Sequence, residues 1–389
     1  MASDPNQIDD CKPPGRTMRA AILRGQEDLR IEDVPFPTAA PGELVLRVGA
    51  ALTCGTDLKV YRRGYHARML TPDRLFGHEL AGTIVQVGDG VTTFSIGDRV
   101  LPLNSAPCDA CFFCRNNQQN LCEDLLFNNG AYAEFIRIPA RIVQKNTLRI
   151  PDAIPFEHAA LTEPLACVIR GLEESGISLS AEDDAVEGPT AIVLGAGPIG
   201  MLFIHAASLL GLHVIAVVKR KDQIATARHF GAEQVLRISD VPDPVAAARA
   251  LTPEGRGADI VFEAVATPEA WQWAVQMARK GGLVNFFGGP PSGTAVSLDT
   301  NLIHYSGLTL KASFHHTPAA ARCAFNLITS GGFRAQDFLT GTATMEDLPN
   351  VFRRMLTRPA DGIAPEIKTV IFPSVASEPT AEATMQEHA

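Results

Sequence analysis

The stretch TAIVLGAGPIGMLF, residues 190–203, restricts the fold more than any other part of the chain. An apolar segment of strand character runs into Gly195-x-Gly197-x-x-Gly200, and a helical pattern follows at once. Gly195 permits the tight turn, Gly197 lets the backbone approach a pyrophosphate, and Gly200 lets helix and strand pack closely. With Pro198 and Ile199 completing the turn, a dinucleotide's phosphates would sit at the positive end of the helix dipole. Beyond it, strands HVIAVV, ADIVFEA and GLVNFFG alternate with helical stretches DQIATARHF and PEAWQWAVQMA. That alternation predicts an α/β fold with a doubly wound parallel sheet. Residues 191–218 are apolar enough to suggest a membrane span. Glycines at 195, 197, 200 and 211, with Pro198, His205 and His213, cut the run into short elements, so no membrane span is expected.

After the second strand of such a unit, NAD-binding proteins usually place Asp or Glu on the ribose 2′-hydroxyl. Here the positions are Val218, Lys219 and Arg220. A cationic pair suits a 2′-phosphate, with Arg220 the better bidentate partner, so NADP is favoured over NAD. The alternative is a solvated basic loop.

Residues 18–150 follow a different pattern. Short alternating segments such as MRAAIL, GELVLRVGA, HELAGTIVQVG and GDRVLP, punctuated by glycine and proline, predict a β-rich domain. Within it Cys108, Cys111, Cys114 and Cys122 are spaced C-x2-C-x2-C-x7-C and include half of the chain's 8 cysteines. Four thiolates on short chelate loops suit tetrahedral zinc, and the polar residues between them could build no core without it. An iron–sulfur cluster is the competitor, but neither a second cysteine group nor a trailing Cys-Pro accompanies it. With every position taken by protein, such a site would be chemically inert. Cys54 and His78, 24 residues apart, form a second plausible zinc pair, with Glu79 beside His78 and Glu163 in LTEPLACV. Three protein ligands and an open position would make that zinc catalytic. A core thiol and a satisfied histidine would look the same in sequence.

With 389 residues the chain is long enough for two domains. A net charge of −9 leaves no basic face for nucleic acid or an anionic membrane. The N-terminus is polar and acidic rather than a signal peptide, so a reducing cytoplasm is expected, where clustered thiols bind metal.

In order along the chain, CGTD, GHE, the four-cysteine lobe, GDRV, EPLAC and GAGPIG resemble the zinc-dependent medium-chain alcohol dehydrogenases, most of all the polyol branch that includes sorbitol and threonine dehydrogenases. The resemblance spans residues 18–372. It implies a β-rich GroES-like catalytic domain over residues 18–165, completed by 316–373, with a Rossmann domain over 166–315 between them. Residues 1–17 and 374–389 would be loose. Two zinc ions per chain are implied, one structural on the four cysteines and one catalytic on Cys54 and His78. Glu79 and Glu163 match the carboxylates that bind that metal or reach it through water. Asp57 would orient His78, and Thr56 would bond the reacting oxygen and start a proton relay. A small-molecule secondary alcohol, interconverted with its ketone by hydride transfer to NAD(P), is the implied substrate, and a homodimer or homotetramer the implied assembly. Lys59 stands where the relay often continues through histidine, and Val218 where NAD-dependent members carry Asp. The rival within the superfamily is a zinc-independent NADPH-dependent carbonyl or enone reductase. A zinc-ribbon binding module is a more distant rival.

Other residues are expected to be unremarkable. His315 and His316 end a predicted strand, where neighbours point to opposite faces, so at most one should face the active site. Trp271 and Trp273 should pack, and Cys11, Cys167 and Cys323 have no ligand-spaced partner. Arg62, Arg63, Arg68 and Arg74 fall between Cys54 and His78, suggesting either a phosphate- or carboxylate-bearing substrate or a solvated basic loop.

Overall fold

A computed structural model describes residues 15–65, 74–177, 188–357 and 366–373; Cys11, Arg68 and the C-terminal residues 374–389 lie outside them. The strong strand–helix alternation of the second half builds a six-stranded sheet. Its strands, from one edge to the other, are Gln234–Arg237, His213–Val218, Thr190–Leu194, Ala258–Glu263, Ala278–Phe286 and Thr309–Ala312. Every pairing is parallel. Their chain order across the sheet runs 3-2-1-4-5-6, so the winding reverses beside Thr190–Leu194. The Gly195–Gly200 turn leaves the sheet at that crevice, where open α/β sheets take their ligands. The apolar run resolves into strand Thr190–Leu194, helix Pro198–Leu209 and strand His213–Val218. Among the described residues no helix is long and apolar enough to cross a membrane.

The first half is mainly antiparallel. A seven-stranded sheet centres on Leu44–Leu52, which pairs with Glu79–Val87, Phe135–Ile138 and the C-terminal strand Lys368–Phe372. These pairings position the site. Leu52 faces Glu79, so Cys54 and His78, just beyond the paired ends, are brought together. Val370 faces Leu52, so Lys368 arrives at the same place from more than 300 residues away.

The helix Thr162–Glu174 joins the two halves. Its Leu165, Ala166, Ile169 and Leu172 are buried in one cluster with Ala191, Val193 and Phe203 of the parallel half and with Ala50 and Leu52 of the antiparallel half. Fully burying a leucine or isoleucine is worth about 1.5–3 kcal/mol, so this shared core holds Glu163, in the helix's first turn, against the Cys54 strand.

Candidate active site

The four-cysteine lobe is compact. Cys108 Sγ lies 3.9 Å from Cys114 Sγ, and Cys111 Sγ 3.9 Å from Cys122 Sγ. Tetrahedral ligands about 2.3 Å from one zinc stand about 3.8 Å apart, so the spacing fits the ion. Backbone N–H groups of Ala110 and Cys111 donate to Cys108 Sγ, and that of Cys108 donates to Cys122 Sγ, which stabilises thiolate charge.

At the dinucleotide turn the three glycines differ in what surrounds them. Gly195 has φ of +102°, and a Cβ there would meet Val265 Cγ2 at 2.7 Å. A Cβ on Gly200 would lie 1.9 Å from Gly195 O. Around Gly197 nothing stands within 4 Å of a Cβ, so the turn is open where a pyrophosphate would rest. Gly197 caps the helix Pro198–Leu209 without a side-chain bond, leaving the N–H groups of Ile199 and Gly200 for an anion. Val218 is buried. Arg220 pairs through Nε and Nη2 with Asp222, its Nη2 at 2.9 Å from Asp222 Oδ2, and its Nη1 has no partner among the described residues. The backbones of Lys219 and Arg220 both donate to Gln223 Oε1, while Gln223 Nε2 donates to Ala196 O. Gln223 therefore ties the basic loop to the glycine turn, a link with no motif to announce it.

At the catalytic candidate, Cys54 caps the helix Gly55–Arg63, and its Sγ accepts from the Thr56 N–H. Donor atoms of Cys54, His78 and Glu79 all lie within 4.8 Å of one another. His78 Nδ1 is 2.9 Å from Asp57 Oδ1, and Tyr132 Oη donates to Asp57 Oδ2 at 2.7 Å. Both side chains of the His78–Asp57 pair are 4% exposed. Glu79 is fully buried, with Lys368 Nζ at 2.8 and 2.6 Å from its two oxygens. Lys368 also donates to Thr53 O. Burial pushes the Lys368 pKa down, but the negative charges around it, Glu79 first and then Cys54 and Glu163, together raise it. Neither Tyr132 nor Lys368 lies in a motif. A lysine in the apolar strand IKTVIF is the one signal the sequence offered.

Glu163 is not in the Cys54 group. Its carboxylate gathers with Cys167 and His315, their donor atoms within 4.8 Å of one another, and burial pushes its pKa up to about 7. His316 Nε2 is 3.9 Å from Glu163 Oε1 and 3.0 Å from Asn104 Oδ1. The expectation that at most one of the paired histidines turns inward is thus corrected. The strand ends at Ala312, and His315 has φ of +60°, so strand alternation does not apply and the two rings lie 4.1 Å apart. Cys167 likewise acquires ligand partners that spacing could not show. Lys59 Nζ lies 3.5 Å from Gly289 O, and burial lowers its pKa. Trp271 stacks on Phe286 and donates to Gly288 O, and Trp273 packs on the same core. Arg62 and Arg63 are exposed in the last turn of their helix.

Residues 40–152 match the alcohol dehydrogenase GroES-like domain, and residues 198–330 match the zinc-binding dehydrogenase family. L-threonine 3-dehydrogenase of Pyrococcus abyssi is 31% identical over 284 residues, 72% of this chain and 77% of the relative. The chain belongs to the zinc-dependent medium-chain dehydrogenases. Sorbitol dehydrogenase of Bacillus subtilis is 27% identical over 348 residues, 88% of this chain and 94% of the relative. A solved zinc-binding dehydrogenase from Sinorhizobium meliloti 1021, bound to NADP, superposes with a TM-score of 0.81 at 28% identity, covering 92% of this chain and 100% of that one. As a member of this family the enzyme interconverts an alcohol and a ketone with a nicotinamide cofactor.

Proposed function

We propose that the enzyme oxidises a polyol-like secondary alcohol reversibly at a zinc held by Cys54 and His78, with NADP as the preferred acceptor. The carrying observation is the buried convergence of Cys54, His78 and Glu79 donors behind an Asp57–Tyr132 brace. Zinc, when bound, supplies a Lewis acid at the alcohol oxygen, and the nicotinamide accepts the hydride. The remaining work belongs to the chain. Asp57 holds His78 Nδ1 and thereby directs Nε2 towards the ligand position. Lys368 balances the Glu79 charge, so the thiolate and its neighbours carry less net negative charge. Thr56, beside Cys54, receives the substrate proton, and Lys59 carries it outward in place of the usual histidine. Glu163, held against the Cys54 strand by the linking helix, completes the metal's surroundings.

The structural zinc is assigned to Cys108, Cys111, Cys114 and Cys122, supported by their sulfur spacing. The NADP preference is supported by Val218, by Arg220, whose Nη1 has no partner among the described residues, and by the NADP-bound relative. A homodimer or homotetramer is proposed, because the edge strand Thr309–Ala312 pairs on one side only and Tyr305 nearby is 75% exposed. We place the enzyme in the cytoplasm, where the thiol lobe stays reduced. The GroES-like part over 18–165 with 316–373 and the Rossmann part over 166–315 remain the proposed division. Metal analysis beside kinetics tests the assignment. Cys54→Ser should abolish turnover and remove one zinc of two while the protein stays folded. Cys111→Ser should remove the other and lower thermal stability. Turnover within a few-fold of the original in Cys54→Ser would overturn the catalytic assignment and favour the zinc-independent reductase.

A further inference from the structure

We propose that Gln223 is a positioning residue for cofactor selection: its side-chain amide holds the Lys219–Arg220 backbone against the glycine turn, so that two cations are already in place for a phosphate at the ribose 2′ position. The inference deepens the proposed NADP preference and rests on it.

Three observations carry it. The first is where the main-chain ladder stops. Strands Thr190–Leu194 and His213–Val218 pair as far as Leu194 and Val217, and the Gly195 N–H donates to Val217 O at 3.0 Å. Beyond that bond one chain enters the glycine turn and the other the basic loop. The Gln223 amide takes up the link there. Its Oε1 accepts the N–H groups of Lys219 and Arg220 at 3.2 and 3.0 Å, and its Nε2 donates to Ala196 O at 2.9 Å. One side chain thus supplies the donor and the acceptor that further ladder peptides would have supplied.

The second observation is burial. Gln223 is 6% exposed, although glutamine is mostly a surface residue. Enclosing an amide is unfavourable unless it is hydrogen-bonded, and this one is engaged by three main-chain groups. An apolar side chain of similar length would leave all three without that partner.

The third is what the held backbone carries. Lys219, Arg220 and Lys221 are exposed in succession, whereas Val218 before them is buried and offers a ribose hydroxyl nothing. Asp222, next to Gln223 in the first turn of the helix Asp222–His229, orients the Arg220 guanidinium through Nε and Nη2. Gln223 therefore fixes the loop backbone while Asp222 fixes the head group. A charge-assisted bond to phosphate depends on that placement, and a loop left unanchored must be ordered when the ligand binds. NAD presents only a hydroxyl here, and its pyrophosphate would rest on the turn that Gly195 and Gly200 shape by themselves. Loss of Gln223 thus falls on NADP and largely spares NAD.

Calorimetric titration of the purified protein with adenosine 2′,5′-bisphosphate and with adenosine 5′-monophosphate tests this without turnover. The proteins are the original, Gln223→Leu and Gln223→Glu, each first shown to be folded by a thermal melt. The original should bind the bisphosphate more tightly than the monophosphate. Gln223→Leu should weaken the bisphosphate about tenfold and the monophosphate less than about twofold. Gln223→Glu keeps the length and an acceptor but sets a negative charge beside the phosphate, so its affinity for the bisphosphate should be lower still. Should Gln223→Leu fail to fold, the same comparison on Gln223→Glu decides. In steady-state kinetics Gln223→Leu should raise KM for NADP and leave kcat unchanged. Arg220→Ala should then lower kcat/KM for NADP at least about fivefold less in the Gln223→Leu background than in the original, because the cation is already misplaced. Equal weakening of both nucleotides by Gln223→Leu, or the same Arg220→Ala effect in both backgrounds, would overturn the selective role of Gln223 alone. Equal affinity of the original for the two nucleotides would overturn the NADP reading, and this inference with it.

Discussion

Lys368 offers the sharpest stability test, because its charge is almost wholly enclosed and its partners are known. Its Nζ lies 2.8 and 2.6 Å from the Glu79 oxygens and 2.9 Å from Thr53 O, and the two side chains are 2% and 0% exposed. Lys368→Met keeps the volume and removes the charge. Work in a Cys54→Ser background keeps an ion from compensating. Glu79 then faces burial as an unpaired carboxylate, which costs about 3–5 kcal/mol, or it takes a proton. Holding a proton at pH 7 on a group that ionises near 4.3 when unfolded costs about 3.5 kcal/mol, so protonation limits the loss. The unmade bond to Thr53 adds about 1 kcal/mol. The expected loss is about 4–5 kcal/mol at pH 7, shrinking by about 1.4 kcal/mol per unit as pH falls towards 5. The sign follows because the folded variant binds a proton that the unfolded chain lacks at neutral pH, so acid favours its folded form. Glu79→Gln added to Lys368→Met should recover most of the loss and abolish its pH dependence. Urea unfolding at pH 7 and 5.5 measures all of these. A loss below about 1 kcal/mol, unchanged by pH, would show that the pair contributes little and that Glu79 is neutral in the original.

For the cofactor, Arg220→Ala should lower kcat/KM for NADP by about 10- to 100-fold, a charge-assisted contact of about 1.5–3 kcal/mol, and leave NAD nearly unaffected. Asp222→Asn frees the paired edge of Arg220 and should raise the NADP-to-NAD ratio, so steady-state kinetics with both cofactors decides. Lys59→Ala should slow alcohol oxidation most at low pH, where hydroxide cannot replace it; a pH–rate profile identical to the original would remove Lys59 from the proton path. Burial holds His205 down at about 4, against 6.5 in the open chain, with Arg334 adding to it and Asp337 opposing. Its neutral ring accepts from the Arg334 N–H and meets Phe230 O. Stability should therefore be full above about 6.5 and fall by about 3 kcal/mol as pH drops towards 4, a slope that His205→Gln should flatten in melting curves.

The elements legible in the sequence were those whose physics is local. Gly195 and Gly200 are required by contacts a few residues away, and a Cβ on Gly200 would strike Gly195 O, so strand, turn and helix could be read from 14 residues. The thiol lobe closes within 15 residues, and its spacing alone implied a shared ion. Cys54, His78 and Glu79 were legible because short motifs carry them, although their meeting depends on Leu52 pairing with Glu79. Lys368 was not legible as their partner, since only the return of the last strand to Leu52 brings it there. The positions of His315 and Cys167 were misjudged for a related reason. A left-handed residue after Ala312 cancelled the strand alternation, and the helix starting at Thr162 turned a thiol towards it across 147 residues of intervening chain. Local backbone sterics and chelate spacing are properties of neighbouring residues. The charge balance around a buried carboxylate depends on which distant strands pair, and that is decided only when the whole core closes.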